Sequence, residues 1–193
     1  GLALTRFRGR KLLLTLTMIV MIMPGTTLVI PLFLELSAMR LIGSPLGIIL
    51  PYAFFPFGVY LTYIYFSTSL QKSMLEAARI DGASEFQIFF RIALPLARPI
   101  IALVAFFSFV GNWHNFFLPY VVMPSSSAQP IQVGLSKLMA TTTAFNPGGT
   151  ADLGIDAPEL ILAVILSVIP VLVLFLFSQR ALIAGMFAGG TKG

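Results

Sequence analysis

The segment QKSMLEAARIDGASEFQIFFRIALPLARP, Gln71 to Pro99, decides the fold of this chain. It is the one long stretch that is both charged and strongly patterned, and it lies between apolar runs long enough to cross a bilayer. Ser73 with Glu76 three residues on is a capping-box pattern, which predicts a helix starting there. Met74 to Asp81 holds good helix formers, and Gly82 takes the left-handed stop conformation without steric cost, so this first helix is short. Ser84 with Gln87 repeats the start signal. Phe86, Phe89, Phe90, Ala93 and Leu94 then recur at three- and four-residue steps until Pro95 interrupts, predicting an amphipathic second helix laid against something apolar. On pattern alone the pair is either an ordinary connection between spans or a place where a membrane protein meets a soluble partner.

The rest of the composition agrees with a membrane setting. Of 193 residues, 58% are hydrophobic and only 10% charged, and the mean hydropathy is +0.96. A soluble domain carries about a quarter of its residues charged, so this is an integral membrane protein. The net charge of +5 does not point to nucleic acid, because the basic residues stand at the ends of apolar runs and not on one polar face. The absence of cysteine excludes disulfides, thiolate metal sites and a cysteine nucleophile.

Four apolar runs, 12–34, 46–70, 100–123 and 160–177, predict a polytopic all-α transmembrane helical bundle, read as a single domain over 1–193. Met23-Pro24-Gly25 should kink or break the first run, and Pro51 and Pro56 interrupt the second. Four crossings put the N-terminal arm, the 71–99 segment and the C-terminal tail on one side, and 35–45 and 124–159 on the other. The first side holds Arg6, Arg8, Arg10, Lys11, Lys72, Arg79, Arg91, Arg98, Arg180 and Lys192, while the second holds only Arg40 and Lys137. The positive-inside bias therefore makes the 71–99 segment cytoplasmic, on the side where ATP is found.

Glu76-Ala77-Ala78, three residues, Gly82, nine residues, Ile92, one residue and Leu94-Pro95 resemble the EAA motif of the permease subunits of bacterial ATP-binding-cassette (ABC) importers in every spaced element. Ala3, Arg6, Phe7, Arg8 and Gly9, and Gln179-Arg180, Gly185 and the glycine-rich ending at 189–193, are similar to the carbohydrate-type permeases of that superfamily, the binding-protein-dependent inner-membrane components that include the maltose-importer permease MalG. The resemblance implies that 71–99 is a cytoplasmic coupling-helix hairpin, with Glu76, Ala77, Ala78, Arg79, Asp81 and Gly82 as the segment that meets the ATPase subunit. Glu76 would face a basic group there, Ala77 and Ala78 would permit close approach, and Gly82 would set the turn. It implies further partners: a second permease in a heterodimer, two copies of an ATP-binding subunit, an extracytoplasmic solute-binding protein and the bilayer of the inner membrane. Subunits of this kind usually have six spans, so the resemblance leads us to expect two more N-terminal helices than this sequence contains.

The third run is where a solute would be met. Phe106, Phe109, Trp113, Phe116 and Tyr120 predict one helical stripe, with Ser108, Asn112 and Asn115 as a polar stripe beside it. Amides inside a bilayer need a partner or a wet cavity. Sugars offer hydroxyls and apolar C–H faces, which suits Ser108, Asn112, Trp113, Asn115 and Phe116 as a substrate pathway; alternatively the aromatics face lipid and the amides bond across helices. The carbohydrate-type permeases commonly show Trp-Asn-acidic-Phe at this point, from which Trp113-His114-Asn115-Phe116 departs. His114, the only histidine, is either a proton-coupled site, for which no span supplies an acidic partner, or a hydrogen-bonding residue of the bundle or of a substrate hydroxyl.

The segment 124–159, with turn signals at Pro124-Ser125-Ser126-Ser127 and Asn146-Pro147-Gly148-Gly149, has room for a short helix between Gln132 and Ala144. By resemblance it would face the solute-binding protein. None of the seven acidic residues lies in a span, and no phosphate loop, zinc-type histidine pair or other catalytic or cofactor constellation appears. The reading is a permease subunit for a di- or oligosaccharide or related polyol, not an enzyme, with ATP hydrolysed by a separate subunit. A permease for another solute such as glycerol phosphate, and an ion-coupled secondary transporter, are the alternatives.

Overall fold

The computed structural model describes residues 2–3, 7–124, 128–142, 145 and 157–187, and the side chains of Lys72 and 180–187 stand outside that description. Arg6, Asp152, Asp156, Lys192, the turn signals at 125–127 and 146–149 and the glycine-rich ending lie outside the described residues as well. Every regular element among the described residues is helical. In order they are α1 (Arg10–Ile22), a 3-10 turn (Gly25–Leu28), α2 (Val29–Ala38), α3 (Leu46–Tyr52), α4 (Pro56–Ser69), α5 (Lys72–Ile80) and α6 (Glu85–Ile88). A π-helical stretch (Phe89–Ala93) leads on to α7 (Leu94–Leu96), followed by α8 (Arg98–Trp113), α9 (Phe117–Val122), α10 (Ile131–Thr141) and α11 (Ala157–Phe187).

Two helical stretches are long and apolar enough to cross a membrane, Leu46–Ser69 and Ala157–Gln179, and the number rises to four if the bent pairs Arg10–Ile22 with Gly25–Ala38 and Glu85–Leu96 with Arg98–Trp113 are each one span. The first helix stops before Pro24-Gly25, as the sequence predicts. Pro95 does not interrupt where the periodicity suggested. The chain passes through it by widening to the π-helical stretch just before and bends by 69° only after Leu96. Hydroxyls inside the apolar helices bond back to the preceding turn: Thr17 Oγ1 donates to the Leu13 carbonyl at 2.8 Å, Thr62 to Gly58 at 2.7 Å and Ser67 to Tyr63 at 2.7 Å. That geometry lets a polar residue sit in an apolar run without an orphaned donor.

The chain forms two compact units. One comprises Gly1–Ile22, Phe55–Ser108 and Phe175–Gly193. In it α1 lies along α4, where the Arg10 guanidinium stands 5.8 Å from the centre of the Tyr63 ring and donates to its hydroxyl oxygen at 3.4 Å. Ala97, Ile100 and Leu103 are buried against Leu61, Tyr65, Phe66 and Val104. The Tyr65 hydroxyl donates at 2.7 Å to the carbonyl of Leu96, at the bend where Pro99 offers no N–H to the preceding turn.

The other unit comprises Met23–Phe54 and Phe109–Leu174. Its core is Val29, Leu36, Leu118, Val122 and Met123, with Leu32, Phe33, Leu41, Ile42 and Ile48 packed on it. Gly43 N–H donates to the Val122 carbonyl at 2.8 Å, and Gly47 comes so close to the chain that a β-carbon there would lie 2.5 Å from the Leu41 carbonyl oxygen. The short helix expected between Gln132 and Ala144 is α10, with Val133 fully buried.

Candidate functional site

The first candidate surface is the hairpin of α5 and α6. Leu70 is extended and buried at the end of α4, and Gln71 follows in extended backbone, so the non-helical cap falls on Gln71 and α5 begins at Lys72. This corrects the expected Ser73–Glu76 box: Ser73 already lies inside the first turn, and no side chain caps α5. At the far end Gly82 adopts φ +80°. Its N–H donates to Arg79 at 3.1 Å and that of Ala83 to Ala78 at 3.0 Å, a Schellman stop of the kind that favours glycine. The Ser84–Gln87 box does form, Gln87 N–H to Ser84 Oγ at 3.3 Å and Ser84 N–H to Gln87 Oε1 at 2.8 Å.

These ends place the predicted residues on two faces. Leu75 is buried with Leu70, Ile88 and Ala93, and Ala78 packs half-buried on that cluster. Glu76, Ala77, Arg79, Asp81 and Gly82 are exposed, as are Met74 and Ile80, the latter 86% exposed. Ala78 therefore closes the hairpin on itself while Ala77 faces outward. Arg79 is paired across the turn with Glu85, and the guanidinium holds the Glu85 carboxyl below its ordinary pKa while Glu85 raises that of Arg79. Phe86, Phe89 and Phe90 form an exposed aromatic cluster beside it.

The second candidate lies wholly in the unit containing 109–174. The expected unbroken third run stops at Trp113 and resumes at Phe117. His114 N–H still donates to the Val110 carbonyl at 3.1 Å, but Asn115 N–H turns to the Asn112 carbonyl at 3.2 Å and Pro119 has no N–H for the Asn115 carbonyl, so the i→i−4 ladder ends at His114. The single aromatic stripe is corrected accordingly. Phe109 stacks on Trp113 at 5.4 Å, Phe116 meets Tyr120 at 5.2 Å, and Phe106 packs in the other unit against Phe107 and Phe175.

Residues of the break face two cavities. The larger, about 480 Å³, is lined by Trp113, His114 and Phe116, by Gln132, Leu135, Ser136 and Met139 of α10, and by Val164, Ser167, Val168 and Val171 of α11. On both helices the lining residues fall at i, i+3, i+4 and i+7, which is one face of a helix. The Trp113 indole N–H donates to the Ser167 carbonyl at 3.0 Å, and the Ser167 hydroxyl to Val164 at 2.7 Å. The smaller, about 290 Å³, is lined by Gly25, Thr26, Val29, Tyr52, Asn115, Phe117 and Leu118. The Tyr52 hydroxyl interacts with the Asn115 side chain, yet among the described residues Asn115 Nδ2 is the one buried side-chain polar atom with no partner at hydrogen-bond geometry. Ser108 and Asn112 line neither cavity. Gln132, Ser136 and Ser167 were not singled out from the sequence. The signal for the last was its position as the lone polar residue between Leu160 and Pro170, and for the other two their one-turn spacing. No cluster suited to a metal ion occurs among the described residues.

Three comparisons bear on these surfaces. The family model described as binding-protein-dependent transport system inner membrane component matches residues 1–187. The chain is 33% identical over 193 residues to the arabinooligosaccharides transport system permease protein AraQ of Bacillus subtilis (strain 168), covering 100% of this chain and 64% of AraQ. It is 35% identical over 196 residues to protein LplC of the same organism, covering 100% of this chain and 65% of LplC. The crystal structure of a bacterial ABC transporter involved in the import of the acidic polysaccharide alginate contains a chain that matches with a TM-score of 0.74 and 25% identity, over 93% of this chain and 64% of that one. The chain thus spans less than two thirds of the length of these relatives.

Proposed function

Because the chain belongs to the family of binding-protein-dependent transport system inner membrane components, we propose that it is a transmembrane permease subunit of a bacterial ABC importer, moving a di- or oligosaccharide or related polyol across the inner membrane on ATP hydrolysed by a separate subunit. The observation that carries this reading is the α5–α6 hairpin. Its buried side is tied to the end of α4 through Leu70, Leu75 and Ile88, and its outer side presents Glu76 and Ala77, both exposed. A short helix stopped at both ends and anchored to the core passes a push from outside on to the helices behind it and does not absorb it.

In this reading Glu76 meets a basic group of the ATP-binding subunit, and Met74 to Gly82 transmit its closure. The chain pairs with a second permease, two copies of the ATP-binding subunit and an extracytoplasmic solute-binding protein, and carries out no catalysis itself. The basic residues flanking the spans support a cytoplasmic side for the N-terminal arm, the hairpin and the C-terminus. A sugar as cargo is supported by the names of AraQ and the alginate importer. Trp113, Phe116 and Asn115, which line the two cavities at the helix break, are the pathway residues the geometry favours, with Asn112 in the last turn of α8 and Ser108 one turn before it. The test is purification of the tagged full-length protein from its native membrane, followed by reconstitution. The expected result is co-purification of a Walker-motif subunit and a second permease, with saccharide uptake that needs ATP. Uptake driven by an ion gradient alone contradicts the reading.

A further inference from the structure

We propose that the cavity of about 480 Å³ between the helix break, α10 and α11 is a subsite for one ring of a neutral saccharide and discriminates against acidic sugars. The inference rests on the transport reading and deepens it by naming the class of sugar. Three features carry it.

The first is that the aromatic wall is fixed. Trp113 has its indole N–H committed to the Ser167 carbonyl at 3.0 Å, and Phe109 stacks in parallel on its ring at 5.4 Å. It cannot turn to donate to a ligand, so what it offers is apolar surface of the kind the C–H face of a sugar covers.

The second is the inventory of polar groups left over. The Ser167 hydroxyl is used by Val164 at 2.7 Å. His114 Nδ1 lies 2.9 Å from the Val110 carbonyl, an acceptor, so that nitrogen carries a proton and Nε2 is the ring nitrogen left for a ligand. Gln132 and Ser136, one turn apart on α10, add an amide and a hydroxyl to the same cavity. Donors and acceptors are thus both present, in the mixture that hydroxyl groups satisfy.

The third is charge. No acidic, lysine or arginine side chain is among the described residues lining the cavity. Lys137, the only lysine or arginine between 124 and 159, donates to Gln129 Oε1 at 2.7 Å and to the Pro124 carbonyl at 3.3 Å. A carboxylate entering the cavity gives up its hydration and finds no lysine or arginine among the described lining residues, whereas a hydroxyl exchanges water for protein partners. The volume falls within the range of about 300–1,000 Å³ typical of small-ligand sites.

Trp113 is the only tryptophan of the chain, and the fluorescence difference between the wild-type importer and Trp113→Phe, each with all partner subunits, isolates its signal. The probes are arabinotriose and maltotriose as neutral sugars and trigalacturonate as an acidic one. The expected result is a saturable shift with at least one neutral probe and none with trigalacturonate. Gln132→Leu and Ser136→Ala each weaken the neutral response by roughly tenfold, and Gln132→Arg admits the acidic probe. No saturable shift with either neutral sugar while ATP-driven uptake of one persists, or an equal response to trigalacturonate, overturns the subsite alone. Loss of ATP-driven uptake for every saccharide in the wild type overturns the transport reading beneath it.

Discussion

The Arg79 guanidinium grips the Glu85 carboxylate side-on across the Gly82 turn, Nε to Oε1 at 2.6 Å and the terminal nitrogen to Oε2 at 3.3 Å. Both side chains are exposed, so the pair contributes little to global stability and is screened by salt. Its effect is local, on the angle between α5 and α6.

Acid should loosen this turn. The Glu85 carboxyl is held below its ordinary pKa, chiefly by the hydrogen bond from Arg79. The contribution is therefore fully present above the unfolded glutamate value and disappears as pH falls through the lowered folded value. Hydrogen exchange of the amides of 82–88 should accelerate on acidification, after correction for intrinsic rates, in the wild type and stay flat in Arg79→Gln. Matching profiles would contradict the pairing.

The two serines of the hairpin should behave differently. Ser84→Ala removes a cap that forms and should destabilise the hairpin by about 1 kcal/mol, whereas Ser73→Ala removes none and should stay within about 0.5 kcal/mol. Local hydrogen exchange reads both. Equal effects would mean that the Ser73 box forms after all.

Gly47→Ala should damage the unit built on Leu118 and Val122. The added carbon would lie 2.5 Å from the Leu41 carbonyl oxygen and 3.0 Å from Val122 Cγ1, and backbone cannot move aside as a flexible side chain does. A loss of about 1–3 kcal/mol is expected, seen as a lower melting temperature in detergent. An unchanged melting temperature would show that the loop at Leu41 yields.

Trp113→Phe keeps an aromatic ring but leaves the Ser167 carbonyl without its indole donor. The expected loss is about 1 kcal/mol, again by thermal unfolding, with Phe109→Leu adding to it less than independently because the two rings stack. Strict additivity would contradict the coupling.

Where the chain chooses by local chemistry, the sequence was legible. Gly82 was readable because only glycine takes φ +80° cheaply, and the Ser84–Gln87 box because both of its bonds lie within one turn. Ser73 misled because tertiary packing decides the start of α5: burial of Leu70 holds the chain extended through Gln71, two residues before a serine that has the right pattern but the wrong position. The stop after Trp113 was hidden inside a run long enough to be a single span, although Pro119, six residues later, marks where the ladder loses a donor. Gln132, Ser136 and Ser167 could not be grouped from sequence, since they lie on two helices and become neighbours of Trp113 only through the fold. For the same reason Ala77 and Ala78, adjacent in the motif, differ in setting: Ala77 is exposed and Ala78 packs half-buried on the hairpin core.

If the hairpin transmits closure of the ATP-binding subunit as proposed, uptake per ATP hydrolysed in vesicles containing the whole importer measures that coupling directly. Glu76→Lys reverses the outward charge, and Gly82→Pro forbids the left-handed stop. Each should insert and assemble, and each should lower uptake per ATP by about tenfold or more while hydrolysis continues. Uptake per ATP equal to that of the wild type in both variants would contradict the central claim.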